Sequence, residues 1–122
     1  MKKGIFINRI VPNLFSLDIE KSKQFYTDFL EMELVMDMGW IVTFASNTNP
    51  TSQLFVLQFD KKEKLDNTAT FVSVEVSDID RLYERAKTQN REIVYPLTEE
   101  PWGVRRFFVK DPSGVTINLL TH

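Results

Sequence analysis

The 122-residue chain is 43% apolar and 26% charged, proportions that fit one soluble globular domain with enough length to bury a core. A net charge of −2 gives no general attraction to nucleic acid or anionic lipid, and the lysines at 61, 62 and 64 are interleaved with Asp60, Glu63 and Asp66, as on a solvated loop. The absence of cysteine excludes disulfides, thiolate metal sites and cysteine nucleophiles, and no apolar run approaches a membrane span of roughly 20 residues, so a cytoplasmic protein without nucleic-acid or membrane partners is expected.

Phe6 to Leu17 is rich in Ile, Val and Phe and reads as a strand, with Pro12 marking an edge or a bulge. Asp18 is placed to cap a helix that has Glu20 in its first turn and Phe25, Tyr26, Phe29 and Leu30 in one apolar stripe. Strands follow at Glu33 to Asp37, Trp40 to Ala45 and Gln53 to Phe59, and the polar run Ser46 to Ser52 is the loop between the last two. Asp60 to Thr68 is charged, nearly free of large apolar groups, and reads as a connection.

The pattern then restarts. Thr70 to Val76 reads as a strand, Asp78 caps a helix carrying Leu82, Tyr83 and Ala86, and Asn90 suits the left-handed position that ends it. Strands are expected at Ile93 to Pro96, Val104 to Val109 and Val115 to Leu120. Asp18-Ile19-Glu20 returns 60 residues later as Asp78-Ile79-Asp80, at the same strand-to-helix junction. Each half is therefore β-α-β-β-β, and a four-stranded sheet with one helix leaves a face for a partner half or a ligand to cover. The expected fold is α+β: two tandem βαβββ modules, residues 5–60 and 69–122 with a linker at 61–68, forming a U-shaped mixed sheet around a concave pocket with helices outside.

The last two strands flank Asp111-Pro112-Ser113-Gly114, a turn sequence in which Pro presets φ and Gly accepts a positive φ. A four-residue loop pairs Lys110 with Val115, Phe107 with Asn118 and Arg105 with Leu120. This register puts Arg105, Phe107, Val109, Thr116 and Asn118 on a mixed face suited to a cavity, and Phe108, Ile117 and Leu119 on a dry face toward the helix.

With Asp18-Ile19-Glu20, Phe25-Tyr26, Val76-Ser77-Asp78-Ile79-Asp80, Pro101-Trp102-Gly103 and Asp111-Pro112-Ser113-Gly114 in this order, the chain resembles the vicinal oxygen chelate superfamily over nearly its whole length. That superfamily contains glyoxalases, extradiol dioxygenases, fosfomycin-modifying enzymes and bleomycin-resistance proteins. The resemblance implies a homodimer and a divalent ion held by His or Glu from the first and last strands of each half. Here those positions fall on Val11, Phe71, Asn118, and Gln58 or Val56, and none is a good transition-metal ligand. His122, the single histidine, is at the chain end, where fraying is expected. No metal and no cofactor are therefore expected.

Strand alternation places Phe71, Ser73 and Glu75 on the side of Asn118, and Val72, Val74 and Val76 toward the helix. Asn13 and Phe15 are the counterparts in the first half. The expected ligand-binding set is Asn13, Phe15, Phe71, Ser73, Glu75, Trp102, Arg105, Phe107 and Asn118. Glu75 is a candidate general base or cation anchor, or a partner of Arg105. Trp102 resembles the Trp-Gly corner near the binding groove of bleomycin-resistance proteins, whereas Trp40 reads as core or dimer interface. No Ser-His-Asp set or glycine-rich phosphate loop is present. The chain reads as a metal-free protein of the bleomycin-resistance type that sequesters a flat or amphipathic small molecule; the alternative is a metal-dependent lyase or dioxygenase of the same superfamily, or a metal-free enzyme with Glu75 as base.

Overall fold

Each half of the chain opens with a short strand that runs into a capped helix. In the computed structural model, which describes residues 4–61 and 64–122, the first half comprises β1 (Asn13–Ser16), α1 (Ile19–Gln24), a π-helical turn (Phe25–Phe29), β2 (Glu33–Asp37), β3 (Ile41–Ala45) and β4 (Gln53–Gln58). The second comprises β5 (Phe71–Glu75), α2 (Ile79–Thr88), β6 (Glu92–Glu99), β7 (Arg105–Lys110) and β8 (Thr116–Thr121). Residues 62 and 63, inside the expected linker, and 1–3 lie outside the described residues.

The strands form two open four-stranded mixed sheets, ordered β1-β4-β3-β2 and β5-β8-β7-β6. In each, the first strand pairs in parallel with the last, and the remaining pairs are antiparallel. The α+β duplication read from the sequence is thus present as two separate sheets rather than one continuous sheet. No helix among the described residues is long and apolar enough to cross a membrane.

The caps arise from the aspartates. Asp18 Oδ1 accepts from the backbone N–H of Glu20 and Lys21 at 3.1 and 3.3 Å, and Asp78 Oδ1 accepts from Arg81 N–H at 3.1 Å, which satisfies donors that a helix start leaves open. After α1, the widened π turn brings Phe25, Tyr26 and Phe29 all into the core. Asn90 ends α2 at φ 55, as its side chain allows.

One core spans both modules. Leu14, Val42, Phe44 and Val56 of the first sheet and Phe107, Val109, Ile117 and Leu119 of the second share it with the residues of α1, the π turn and α2. Polar links also join the halves inside it, among them a bond from Leu17 N–H to Ser113 Oγ at 2.8 Å. The Tyr26 hydroxyl donates to Asp111 Oδ2 at 2.7 Å, and Asn67 Nδ2 donates to the carbonyls of Phe15 and Ser113 at 3.0 and 2.9 Å. Burial pushes the Tyr26 phenol well above its usual range, so it stays a donor; burial also pushes the Asp111 carboxyl up, against the hydrogen bonds from Tyr26 and from backbone N–H groups.

The first strand is shorter than expected. Residues 4–12 adopt neither helix nor strand, because Pro12 has no N–H to give a ladder and only residues from Asn13 on lie in register with β4. The last hairpin is shifted by one residue from the expected pairing: Lys110 faces Thr116, Phe108 faces Asn118 and Phe107 faces Leu119. The cause is the loop. Asp111 N–H donates to the Val115 carbonyl at 2.8 Å, while Asp111 Oδ1 accepts from Ser113 N–H and Val115 N–H at 2.8 and 3.0 Å. Asp111 and Val115 therefore close a three-residue loop whose last member, Gly114, sits at φ 90 as a bulge residue.

Candidate functional site

A one-residue slip exchanges the faces of a strand. Phe107 is consequently fully buried on the helix side, its ring edge-on to Tyr83 with centroids 4.9 Å apart. Arg105 shares that side and reaches Asp80 on α2 at 2.6 Å, a contact that raises its pKa. Both leave the expected cavity face. Phe108 and Arg106 take their places there.

The face of the second sheet turned away from its helix carries a lateral row through all four strands: Tyr95, Phe108, Asn118 and Ser73 are neighbours in register. Phe71 and Glu75 flank Ser73 on β5, so the sequence placed these three residues and Asn118 on their correct side. The Phe108 ring lies 4.7 Å from Tyr95 and 5.2 Å from Phe71, centroid to centroid. Above this aromatic floor the Arg106 guanidinium lies 4.9 Å from the Phe108 ring, 5.3 Å from Trp102 and 5.5 Å from Tyr95.

Arg106 is held there by Glu100, which is buried and accepts from Arg106 Nε at 2.7 Å and from the Tyr95 hydroxyl at 3.0 Å. The corner that places Glu100 and Trp102 closes through Gly103 N–H to the Glu100 carbonyl at 3.1 Å, with Gly103 at φ 91. Trp102 itself remains exposed. Asn118 is the polar centre of the row. Its Nδ2 donates to Ser73 Oγ at 3.0 Å, yet its buried Oδ1 has no hydrogen-bond partner among the described residues. An unpaired buried acceptor is a cost that a ligand donor removes.

Glu75 lies against His122 rather than Arg105, with 2.9 Å between Oε2 and Nδ1. Asn13 and Phe15 stand on the corresponding open face of the first sheet, opposite Phe55 and Leu57, where Phe15 meets Phe59 edge-on at 5.3 Å. Beside β5 a groove of about 690 Å³ runs between the modules, lined by Val72 to Asp78 together with Ile10, Pro12, Leu30, Met32, Leu54 and Leu82.

The register also identifies the equivalents of the metal-binding strands. Asn13 pairs with Phe55 as Ser73 pairs with Asn118, so Phe55 is the first-half counterpart of Asn118. The expected counterparts, Gln58 and Val56, face the helix. Gln58 latches the start of α1, accepting from Ile19 N–H at 3.2 Å and donating to the Leu17 carbonyl at 3.1 Å, and Val56 is core. Val11, Phe55, Phe71 and Asn118 make a donor set that does not suit a divalent transition metal. Among the described residues no three His, Cys, Asp or Glu side chains are grouped to hold an ion.

Sequence reasoning missed Tyr95, Arg106 and Phe108. The available signal was the turn itself: Asp before Pro-Ser-Gly is the residue type that caps a three-residue loop, and that choice of register exposes Arg106 and Phe108.

The profile of the Glyoxalase/Bleomycin resistance protein/Dioxygenase superfamily matches residues 7–119. The chain belongs to that superfamily. Solved structures agree at the level of the fold: TioX from Micromonospora sp. ML1 aligns with a TM-score of 0.79 at 20% identity, covering 94% of this chain and 98% of its own. A superfamily member from Sphaerobacter thermophilus DSM 20745 aligns at 0.77 and 21% identity, over 96% and 98% of the two chains. A lactoylglutathione lyase from Agrobacterium tumefaciens aligns at 0.74 and 16%, over 94% of each. No curated protein sequence is significantly similar.

Proposed function

We propose that this superfamily member is a metal-free binding protein that sequesters a flat or amphipathic small molecule against the open face of its second sheet, in a homodimer whose second copy covers that face. The observation that carries the proposal is the unpartnered Asn118 Oδ1, buried in the middle of a floor made by Phe71, Tyr95 and Phe108 and roofed at one end by Arg106 and Trp102. Rings supply area for a planar ligand, and Asn118 with Ser73 supplies the few polar groups that fix its orientation. Because Glu100 already neutralises Arg106, the guanidinium acts as a flat stacking surface more than as a free charge.

Titration of the Trp40→Phe protein with planar aromatic compounds, bleomycin among them, tests this through Trp102 fluorescence. Saturable quenching that is lost in Trp102→Ala, with an unchanged melting temperature, is expected. Unchanged affinity in Trp102→Ala would remove the site. The lyase or dioxygenase reading draws on the lactoylglutathione lyase among the similar folds. A saturable rise in melting temperature of chelator-stripped protein with Ni²⁺, Zn²⁺, Mn²⁺ or Fe²⁺ would favour it.

A further inference from the structure

Four charged side chains stand on the open face of the second sheet, at Glu75, Glu92, Arg106 and Lys110, and three of them are offset by a neighbour of opposite sign. Arg106 is bonded to Glu100, and Lys110 stands opposite Glu92 in the β6–β7 ladder. Glu75 has no lysine or arginine within ion-pair distance among the described residues, because Arg105, its expected mate, turns to the helix side and pairs with Asp80. The neighbouring His122 neutralises it only when protonated. The Glu75 side chain is 63% exposed, so its carboxylate can take a new partner without the loss of a buried contact.

The position of that charge matters. Glu75 stands opposite Leu120, and Leu120 opposite Arg106, in the row next to that of Ser73, Asn118 and Phe108. Two residues along a strand separate the rows, about 7 Å. A ligand that lies on the rings of Phe71, Tyr95 and Phe108 with its donor at Asn118 Oδ1 therefore brings any short side arm within reach of the Glu75 carboxylate.

The groups left open around that place are acceptors. Asn118 turns Nδ2 to Ser73 and leaves Oδ1 without a partner among the described residues. The donors nearby are engaged: the Tyr95 hydroxyl and Arg106 Nε both give their hydrogens to Glu100. The faces of the aromatic rings also attract positive charge. An anionic arm at this end would meet a carboxylate of its own sign, whereas a protonated nitrogen would make a charge-assisted hydrogen bond.

We propose that the ligand of the open face is a planar aromatic compound carrying a protonated amine or amidine on a short arm, and that Glu75 selects it by accepting a hydrogen bond from the charged nitrogen. This rests on the sequestration reading above and names the class of ligand and the residue that anchors it.

The test uses three probes that share one ring system: anthracene bearing an aminomethyl, a hydroxymethyl or a carboxylate group at the same carbon. Their binding to the full chain is followed by fluorescence anisotropy near neutral pH and at low salt, with thermal melts to check that each variant folds. The cationic probe should bind about three- to tenfold tighter than the neutral one, and the anionic probe more weakly than either. Glu75→Gln should bring the cation to within about twofold of the neutral probe while the neutral probe keeps its affinity. Glu75→Asp should restore part of the preference, and His122→Ala should retain it. Added salt should shrink it, as screening of an exposed pair requires. Equal binding of the three probes, or a preference that survives Glu75→Gln, overturns the selection by charge and leaves sequestration standing. Failure of all three probes to bind overturns both.

Discussion

Tyr26→Phe removes one hydroxyl and probes the link between the halves. Both partners are buried, and the lost donor serves Asp111 Oδ2 at 2.7 Å while Oδ1 keeps its bonds from Ser113 and Val115. A hydrogen bond to a charged acceptor contributes about 1.5–3 kcal/mol net, so a loss of about 2 kcal/mol is expected, a factor of about 30 in the folding constant and about 6–10 °C in melting temperature for a chain of this size. Denaturant unfolding with an unchanged m-value measures it. Asp111→Asn keeps an acceptor for the two backbone donors and should cost less, and the double variant should cost less than the sum of the singles.

The pH dependence gives the argument a second arm. Burial raises the Asp111 pKa in the folded state, so its contribution is full below the ordinary carboxyl value of 3.8 and is lost as pH rises through the folded pKa. The Tyr26 hydrogen bond opposes that rise. Without it the folded pKa climbs further, so the penalty of Tyr26→Phe should be largest near neutral pH and shrink toward pH 3.8. A penalty below about 0.5 kcal/mol, or one that grows on acidification, would refute the account.

Asn118→Leu removes the buried acceptor that lacks a partner; stability should stay within about 0.5 kcal/mol of the parent or rise, while binding of any planar ligand found by Trp102 fluorescence falls. Gly114→Ala should cost about 1 kcal/mol in chemical unfolding, from the positive φ alone, because the added Cβ meets Asn67 Cβ at an ordinary 3.8 Å. Asp18→Ala should cost about 1 kcal/mol in the same assay, by stripping two N–H groups of α1 of their acceptor.

Much of the molecule was legible where local chemistry decides the structure. Asp18 and Asp78 mark both helix starts, Asn90 the end of one, and the repeated tripeptide fixed the duplication that the strand orders then display. What could not be read depends on a choice between near-equal local options. Asp111-Pro112-Ser113-Gly114 serves a four-residue or a three-residue loop with the same residues, and the decision, made by Asp111 accepting from Val115 N–H, sends Arg105 and Phe107 to the helix and Arg106 and Phe108 to the open face. Phe6 to Val11 has the composition of a strand but is in no sheet ladder, which begins only at Asn13 opposite Phe55. Composition reports a preference, and pairing requires a partner.

The bonds that Asn67 and Tyr26 make across the molecule bear on how the chain assembles. The Phe15 carbonyl is bonded by Asn67 and the Tyr26 hydroxyl by Asp111, with Tyr26 and Asp111 separated by 85 residues. The first module is synthesised long before the turn that completes its core exists. Folding of the whole should therefore wait on the last dozen residues and be slow and cooperative, as long-range closures make it. A chain that stops short of Asp111 would have two half-built modules, and any quality control that reads exposed aromatic surface would find Phe25, Tyr26 and Phe29.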